Sequence, residues 1–193
     1  MAEIVLAVAV FLLTVAVVGL FAMMGELASR VPAAEDEPDA AAPPQPLPDA
    51  VLGAEAAGWP AEIAHLSEAE HAALVVLSPV CTTCRRIASG ATGPLRIPAP
   101  ASGVMVSSPS ERRGVEFVDE HPMLREYPVA LDVEGSWLTG NFGVDVSPSV
   151  LIFERGRLRS VHTFTSVAAL TQLSTVHNHH EEEEFSARKP AKA

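Results

Sequence analysis

Cys81 and Cys84 are the only two cysteines of this 193-residue chain, and they stand as Cys-Thr-Thr-Cys. At a spacing of three, on the first turn of a helix, the two thiols lie one turn apart and within reach of each other. The free backbone N–H groups at a helix start, and the positive end of its peptide dipoles, stabilise a thiolate on Cys81, and Arg85 and Arg86 add positive charge nearby. Cys84 has fewer such donors. This asymmetry is what thiol–disulfide exchange needs: Cys81 attacks a substrate disulfide, and Cys84 resolves the mixed disulfide by attacking Cys81. A metal ion is another use of the motif. With no second cysteine pair, it would need Cys81, Cys84 and a histidine from the cluster at 177–180. Two buried, inert cysteines fit poorly after Pro79 and beside two arginines, and a static disulfide closing so short a loop adds little stability. No Gly-rich phosphate loop and no Ser/His/Asp arrangement stands out, and no cofactor is expected.

Composition narrows the class of protein. With 13 Lys+Arg against 24 Asp+Glu the net charge is −11 and the isoelectric point is near 5.0, which argues against a nucleic-acid partner. Mean hydropathy is nevertheless +0.24, so the apolar residues are concentrated somewhere. They are concentrated at residues 4–24, IVLAVAVFLLTVAVVGLFAMM, 21 residues without a charge. At the helical rise this segment reaches roughly 31 Å, enough to cross a bilayer core of about 30 Å, and it reads as one retained transmembrane helix. A cleavable signal peptide would want a basic start, a shorter apolar core and a small-x-small cleavage site. Residues 25–58 follow as a Pro/Ala/acid-rich linker with six prolines between 32 and 48, too poor in apolar residues to offset the entropy of ordering. Residues 177–193 read as a disordered tail, in which Glu181–Glu184 form a solvated run and His177, His179 and His180 a weak metal-binding patch. Arg30, the one basic residue near the span, points by the charge rule to a cytoplasmic domain. A tethered exchange protein has its use at the membrane face outside the cytoplasm, and that single-pass, extracytoplasmic placement is the expectation here.

Residues 59–176 are left for one domain. Residues 61–72 interleave charged and apolar residues at helical or turn-like spacing, and AALVVLS is a buried strand stopped by Pro79. A helix then starts at Cys81 and ends near Gly90 and Gly93. Further along come a strand at 103–107, a helix over 111–124, a strand at 128–133 and a short helix at 136–143. Two strands joined by a tight turn at 154–156 follow, and an amphipathic helix at 166–174 closes the domain. Strands alternating with helices and ending in a hairpin make an α/β three-layer sandwich with a mixed sheet. Trp59, Trp137, Phe142 and Phe153 read as packing groups, and His65, His71, His121 and His162 as scattered structural or exposed residues.

The strings LVVLSPVCTTCRRI and FGVDVSPSVLIFERGRL together resemble the membrane-anchored thioredoxin-like proteins of the TlpA and methylamine-utilisation accessory (MauD) type, over roughly residues 70–176. The resemblance implies a thioredoxin-like fold and disulfide exchange with protein thiols, in the reductive direction, recharged by a membrane or soluble redox partner. It also implies that Pro148 is a cis proline opposite the Cys-x-x-Cys, turning the Ser147 backbone toward the thiols. The plain alternative for Pro148 is a trans proline opening a strand. Carried over residue by residue, Cys81, Cys84 and Pro148 are the catalytic set, and Val80, Thr82, Thr83 and Ser147 face the substrate. Three departures stand out. Thioredoxins have Trp before the first cysteine and Gly-Pro between the pair, where this chain has Val80 and Thr82-Thr83. Val75 occupies the place of their buried carboxylate. The Pro-, Ser- and Gly-rich stretch 90–113 aligns with nothing familiar and is a candidate for substrate choice. These departures keep two other classes open: a non-catalytic binding or redox-sensing module on the same fold, and a metal carrier using the CTTC motif.

Overall fold

The computed structural model describes residues 42–173, together with Leu6, Leu13, Thr14 and Val17. The chain divides into two units, Met1–Ala40 and Ala41–Ala193. The four described residues of the first unit are helical. Otherwise the span expected over 4–24 lies outside the described residues, as does the tail at 177–193. Among the described residues no helix is long and apolar enough to cross a membrane.

The second unit is built on six strands: β1 (Gln45–Pro46), β2 (His71–Leu77), β3 (Ala101–Ser108), β4 (Val129–Val133), β5 (Ser149–Glu154) and β6 (Arg157–Thr163). They form one mixed sheet in the order β1-β6-β5-β2-β3-β4. The parallel pairs are β2–β3 and β3–β4, and the antiparallel ones are β2–β5, β5–β6 and β1–β6. β2 lies inside the sheet, and its residues Ala72–Leu77 are all buried. Its side chains alternate between two cores, because successive residues of a strand point to opposite faces. Ala73, Val75 and Leu77 join α1 (Thr82–Ala88), α2 (Glu111–Glu120) and a helix over 167–173 on one face. Ala72, Leu74 and Val76 join α3 (Ser136–Phe142) and the 3-10 helix Ala61–Ser67 on the other. The expected α/β three-layer sandwich with a mixed sheet is the architecture found.

Sequence details explain most of the boundaries. The helix expected over 111–124 ends at Glu120, because Pro122 drives His121 out of helical geometry (φ −124°, ψ 79°) and Pro122–Glu126 continues as a 3-10 turn. Buried Asp132 accepts the Trp137 and Leu138 N–H groups at 2.9 Å each, which fixes the start of α3. The β5–β6 hairpin turns on Arg155 (φ 50°) and Gly156 (φ 76°), both left-handed as a two-residue turn requires. A Cβ on Gly156 would come within 2.7 Å of the Ser67 carbonyl oxygen, so only glycine fits. Trp59, Trp137, Phe142 and Phe153 pack edge-on with ring centroids 5.1 to 5.4 Å apart, as packing groups should.

One expectation is corrected. Residues 45–58 are part of the folded unit and not free linker. The Leu47 N–H donates to Val161 O (2.9 Å), Val51 N–H to Phe142 O (2.9 Å) and Gly53 N–H to Leu158 O (2.7 Å). Ala57 N–H donates to Asn141 Oδ1 (2.7 Å), and Trp137 Nε1 donates to Gly58 O (2.7 Å). Leu47, Ala50, Ala54 and Ala56 pack on the core around Phe142 and Phe153. A Pro-rich segment of low apolar content is ordered here because strand β6 and α3 satisfy its backbone groups. A chain beginning at residue 59 should therefore be less stable than one beginning at residue 42, by about 2 kcal/mol or more if each of the five lost hydrogen bonds contributes a net ~0.5 kcal/mol or more. Urea titration of the two measures the difference, and equal midpoints would show that the strap contributes nothing.

Candidate functional site

Strand β2 runs out at Leu77, and Pro79 prevents its continuation. The Cys81 N–H then closes a turn onto the Ser78 carbonyl (3.2 Å), and Cys81 caps α1 in extended geometry (φ −89°, ψ 121°). Its Sγ accepts the Cys84 backbone N–H at 3.2 Å, the contact expected of a sulfur at a helix start. The helix ends at Ser89, with Gly90 left-handed (φ 75°) just beyond it.

The second arm of the site comes from the loop before β5. The Ser147–Pro148 peptide is cis, as the resemblance implies. The Cys81 thiol donates to the Ser147 carbonyl oxygen at 3.5 Å, across 66 residues of sequence. Pro148 is buried behind Ser147, and the Phe164 N–H donates to the Pro148 carbonyl (3.4 Å), tying the loop to the chain after β6. Cys81, Cys84, Ser147 and Pro148 therefore meet as expected. Val80 is 63 % exposed on the rim, Thr82 is also exposed, and Thr83 is half-buried. Arg85 lies over this rim, its guanidinium donating to the Pro79 carbonyl (3.3 Å) and to Thr82 Oγ1 (3.4 Å).

The two cysteines occupy opposed environments. Cys81 is partly accessible; Cys84 is fully buried among Val75, Leu77, Ile87 and Phe117. Burial pushes the Cys84 thiol up to about 12, the neighbouring Cys81 sulfur adds to the shift, and contacts with Ser78 and Ser147 oppose it. Val75, six residues before Cys81, is fully buried in the same core.

Several features of the site carry no signal in the sequence. Val146, two residues before Pro148, is an exposed apolar residue on the cis-proline loop. An open pocket of about 490 Å³ borders the thiol turn, where Pro79, Val80 and Arg85 face Arg113, Glu116, Phe117 and Glu120 of α2. Arg113 is the last residue of the 90–113 stretch. Within the same stretch Leu95 is buried, Tyr127 Oη donates to its carbonyl (2.7 Å), and Ala101–Ser108 form β3. No spacing rule links residue 85 to residue 113; only the fold brings them together. Among the described residues no group of three or more His, Cys, Asp or Glu side chains could hold a metal ion. The histidines at 177, 179 and 180 lie outside the described residues.

No protein-family profile matches the sequence, and no curated protein matches it either. Solved structures do. MTB DsbF is 23 % identical over 55 % of this chain and 80 % of its own, with a TM-score of 0.42. A thiol-disulfide isomerase from Corynebacterium glutamicum is 16 % identical over 67 % of this chain and 97 % of its own, with a TM-score of 0.44. StoA from Bacillus subtilis is 14 % identical over 65 % and 96 %, with a TM-score of 0.40.

The buried thiol has a pH signature. Below pH 9 the Cys84 thiol is protonated in the folded and the unfolded chain alike, so it leaves stability unchanged there. From pH 9 toward 12 the unfolded thiol ionises while the folded one holds its proton, and the reduced protein loses the corresponding stability. Denaturant titrations between pH 7 and 10.5 should show this loss in the reduced protein and not in Cys84→Ser. Parallel pH profiles for the two would mean that the thiol is not raised.

Proposed function

We propose that the chain is a membrane-tethered thiol–disulfide oxidoreductase acting on protein substrates. The observation that carries this reading is the Cys81 sulfur, which lies at 3.2 Å from the Cys84 N–H and 3.5 Å from the Ser147 carbonyl beside a cis proline, while Cys84 waits one turn below. In the forward direction the Cys81 thiolate attacks one sulfur of a substrate disulfide. A Cys81–substrate disulfide forms and the other substrate sulfur leaves as a thiolate. Cys84, once deprotonated, attacks Cys81 Sγ, which gives the Cys81–Cys84 disulfide and a fully reduced substrate. Two electrons have passed to the substrate, and an external dithiol partner must return them. The Ser147 backbone and the exposed Val80 and Thr82 line the position where the substrate chain lies, and Ser147 offers it main-chain pairing. The reductive direction, the anchor at residues 4–24 and the extracytoplasmic placement complete the proposal. They rest on the resemblance and on the apolar N-terminal run.

A second reading, a binding module with idle or sensing cysteines, is favoured by one observation. Cys84 is raised and has no carboxylate at position 75 to take its proton, so resolution is handicapped. The two readings part in one experiment. As an oxidoreductase, the protein reduces insulin disulfides, Cys81→Ser loses at least about 100-fold of that rate, and Cys84→Ser accumulates a mixed disulfide visible on a non-reducing gel. Unchanged turnover in both variants would end the exchange mechanism. No turnover in the parent, with no exchange with glutathione, selects the binding module.

The resolving step has its own test. Because the thiolate fraction of Cys84 rises tenfold per pH unit below its titration point, release of a preformed mixed disulfide should accelerate about tenfold per unit from pH 7 to 9 in stopped-flow measurements. A flat profile would place the slow step elsewhere.

A further inference from the structure

The sheet ends at β4, whose residues Val129–Val133 pair on one side only. The register with β3 decides which backbone groups face outward. The Val104 N–H donates to Pro128 O and the Glu134 N–H to Ser108 O, so the even-numbered residues of this stretch turn toward β3. Val129, Leu131 and Val133 turn their N–H and C=O groups away from the sheet, and among the described residues no backbone group pairs with them; the Val133 carbonyl accepts from Ser136 Oγ (3.1 Å). Nor does any described residue cover the edge. It lies along an open groove of about 450 Å³, walled by Val115 and Val118 of α2 on one side and by Glu62 of the 3-10 helix on the other. Val115 is 45 % exposed and Val133 41 %. Sheets usually guard such an edge with a lysine, a bulge or a covering segment. On the opposite side of this sheet β1 pairs with β6, and among the described residues β4 has none of these.

We propose that the β4 edge is a docking site for an extended segment of a partner protein, one that joins the sheet as a further strand and carries apolar side chains on alternate residues with basic ones between. The main chain of such a segment would pair with Val129, Leu131 and Val133, and every second side chain would lie over Val115, Val118 and Leu131. Charge selects the rest. The ionisable side chains lining the groove, Glu62, Glu111 and Asp119, are all acidic. Asp119 already takes Arg125 at 2.6 Å, which leaves Glu62 and Glu111 for incoming cations. A second copy of this chain would bring the same carboxylates to the same edge, and like charges on facing strands oppose that pairing.

The test titrates the full-length protein, in nanodiscs, with a fluorescent Val-Lys-Val-Lys-Val-Lys-Val peptide and with its Val/Glu counterpart. The lysine peptide is expected to bind at least tenfold more tightly. It should also slow amide hydrogen exchange at least tenfold at Val129, Leu131 and Val133. Val133→Pro removes one outward N–H without touching the β3 ladder and should lower the affinity at least tenfold. Val115→Arg, on the exposed face of α2, should do the same by a separate route, which keeps the test decisive if the proline variant misfolds. Binding that leaves the three amides unprotected, or that both variants retain, overturns strand addition. A peptide-free dimer that protects those amides overturns the choice of partner and assigns the edge to a second copy.

Discussion

Strand β2 is buried on both faces and paired on both edges, and most of the domain follows from that one constraint. A strand with Ala73, Val75 and Leu77 on one side and Ala72, Leu74 and Val76 on the other must be covered by helices above and below, which forces three layers. It also places the thiols. The turn after β2 lies where the strand leaves the sheet, so Cys81 emerges at the rim while Cys84, one turn on, points back into the core. The antiparallel register of β5 on β2 pairs Val76 with Ser149, and this brings the Ser147–Pro148 loop to the same end of the sheet. The reactive geometry is thus a by-product of where the central strand stops and which neighbour runs against it.

The same burial sets the chemistry of the pair. A sulfur held in an apolar core is costly to ionise, and Cys84 has only apolar neighbours where a carboxylate could have stood. Cys81, by contrast, meets a backbone N–H and solvent. The contrast between the two sulfurs therefore comes chiefly from burial. Arg85 contributes at the rim, where its hydrogen bonds to Pro79 and Thr82 stiffen the turn that carries the nucleophile.

What could be read from the residues follows the same physics. The strands from 71 onward were legible because apolar and β-branched runs are bounded by Pro, Gly and Ser, and Glu154–Gly156 announced its turn. The thiol pair and Pro148 were legible because the spacing of the first and the sequence around the second are local. The helix after Ser110 was extended too far, since Pro122 acts on the residue before it and that boundary is easily overrun. The strap at 45–58 reads as linker in the sequence because its order comes from backbone groups bonded to β6 and α3, which no hydrophobic period records. The pocket between Arg85 and Arg113 was invisible for a similar reason, as it exists only where α2 passes the thiol turn.

The strap also gives the domain a mechanical character. From residue 42 the chain meets the sheet first at Gln45–Pro46 and then through the few backbone bonds that follow along β6 and α3. Tension applied through that end meets those bonds one after another, as in peeling tape, and the central strands carry load only after the strap is gone. Peeling residues 42–58 releases up to about 56 Å of additional chain at the extended rise per residue. The strap is therefore a reserve of slack at the N-terminal end of the domain.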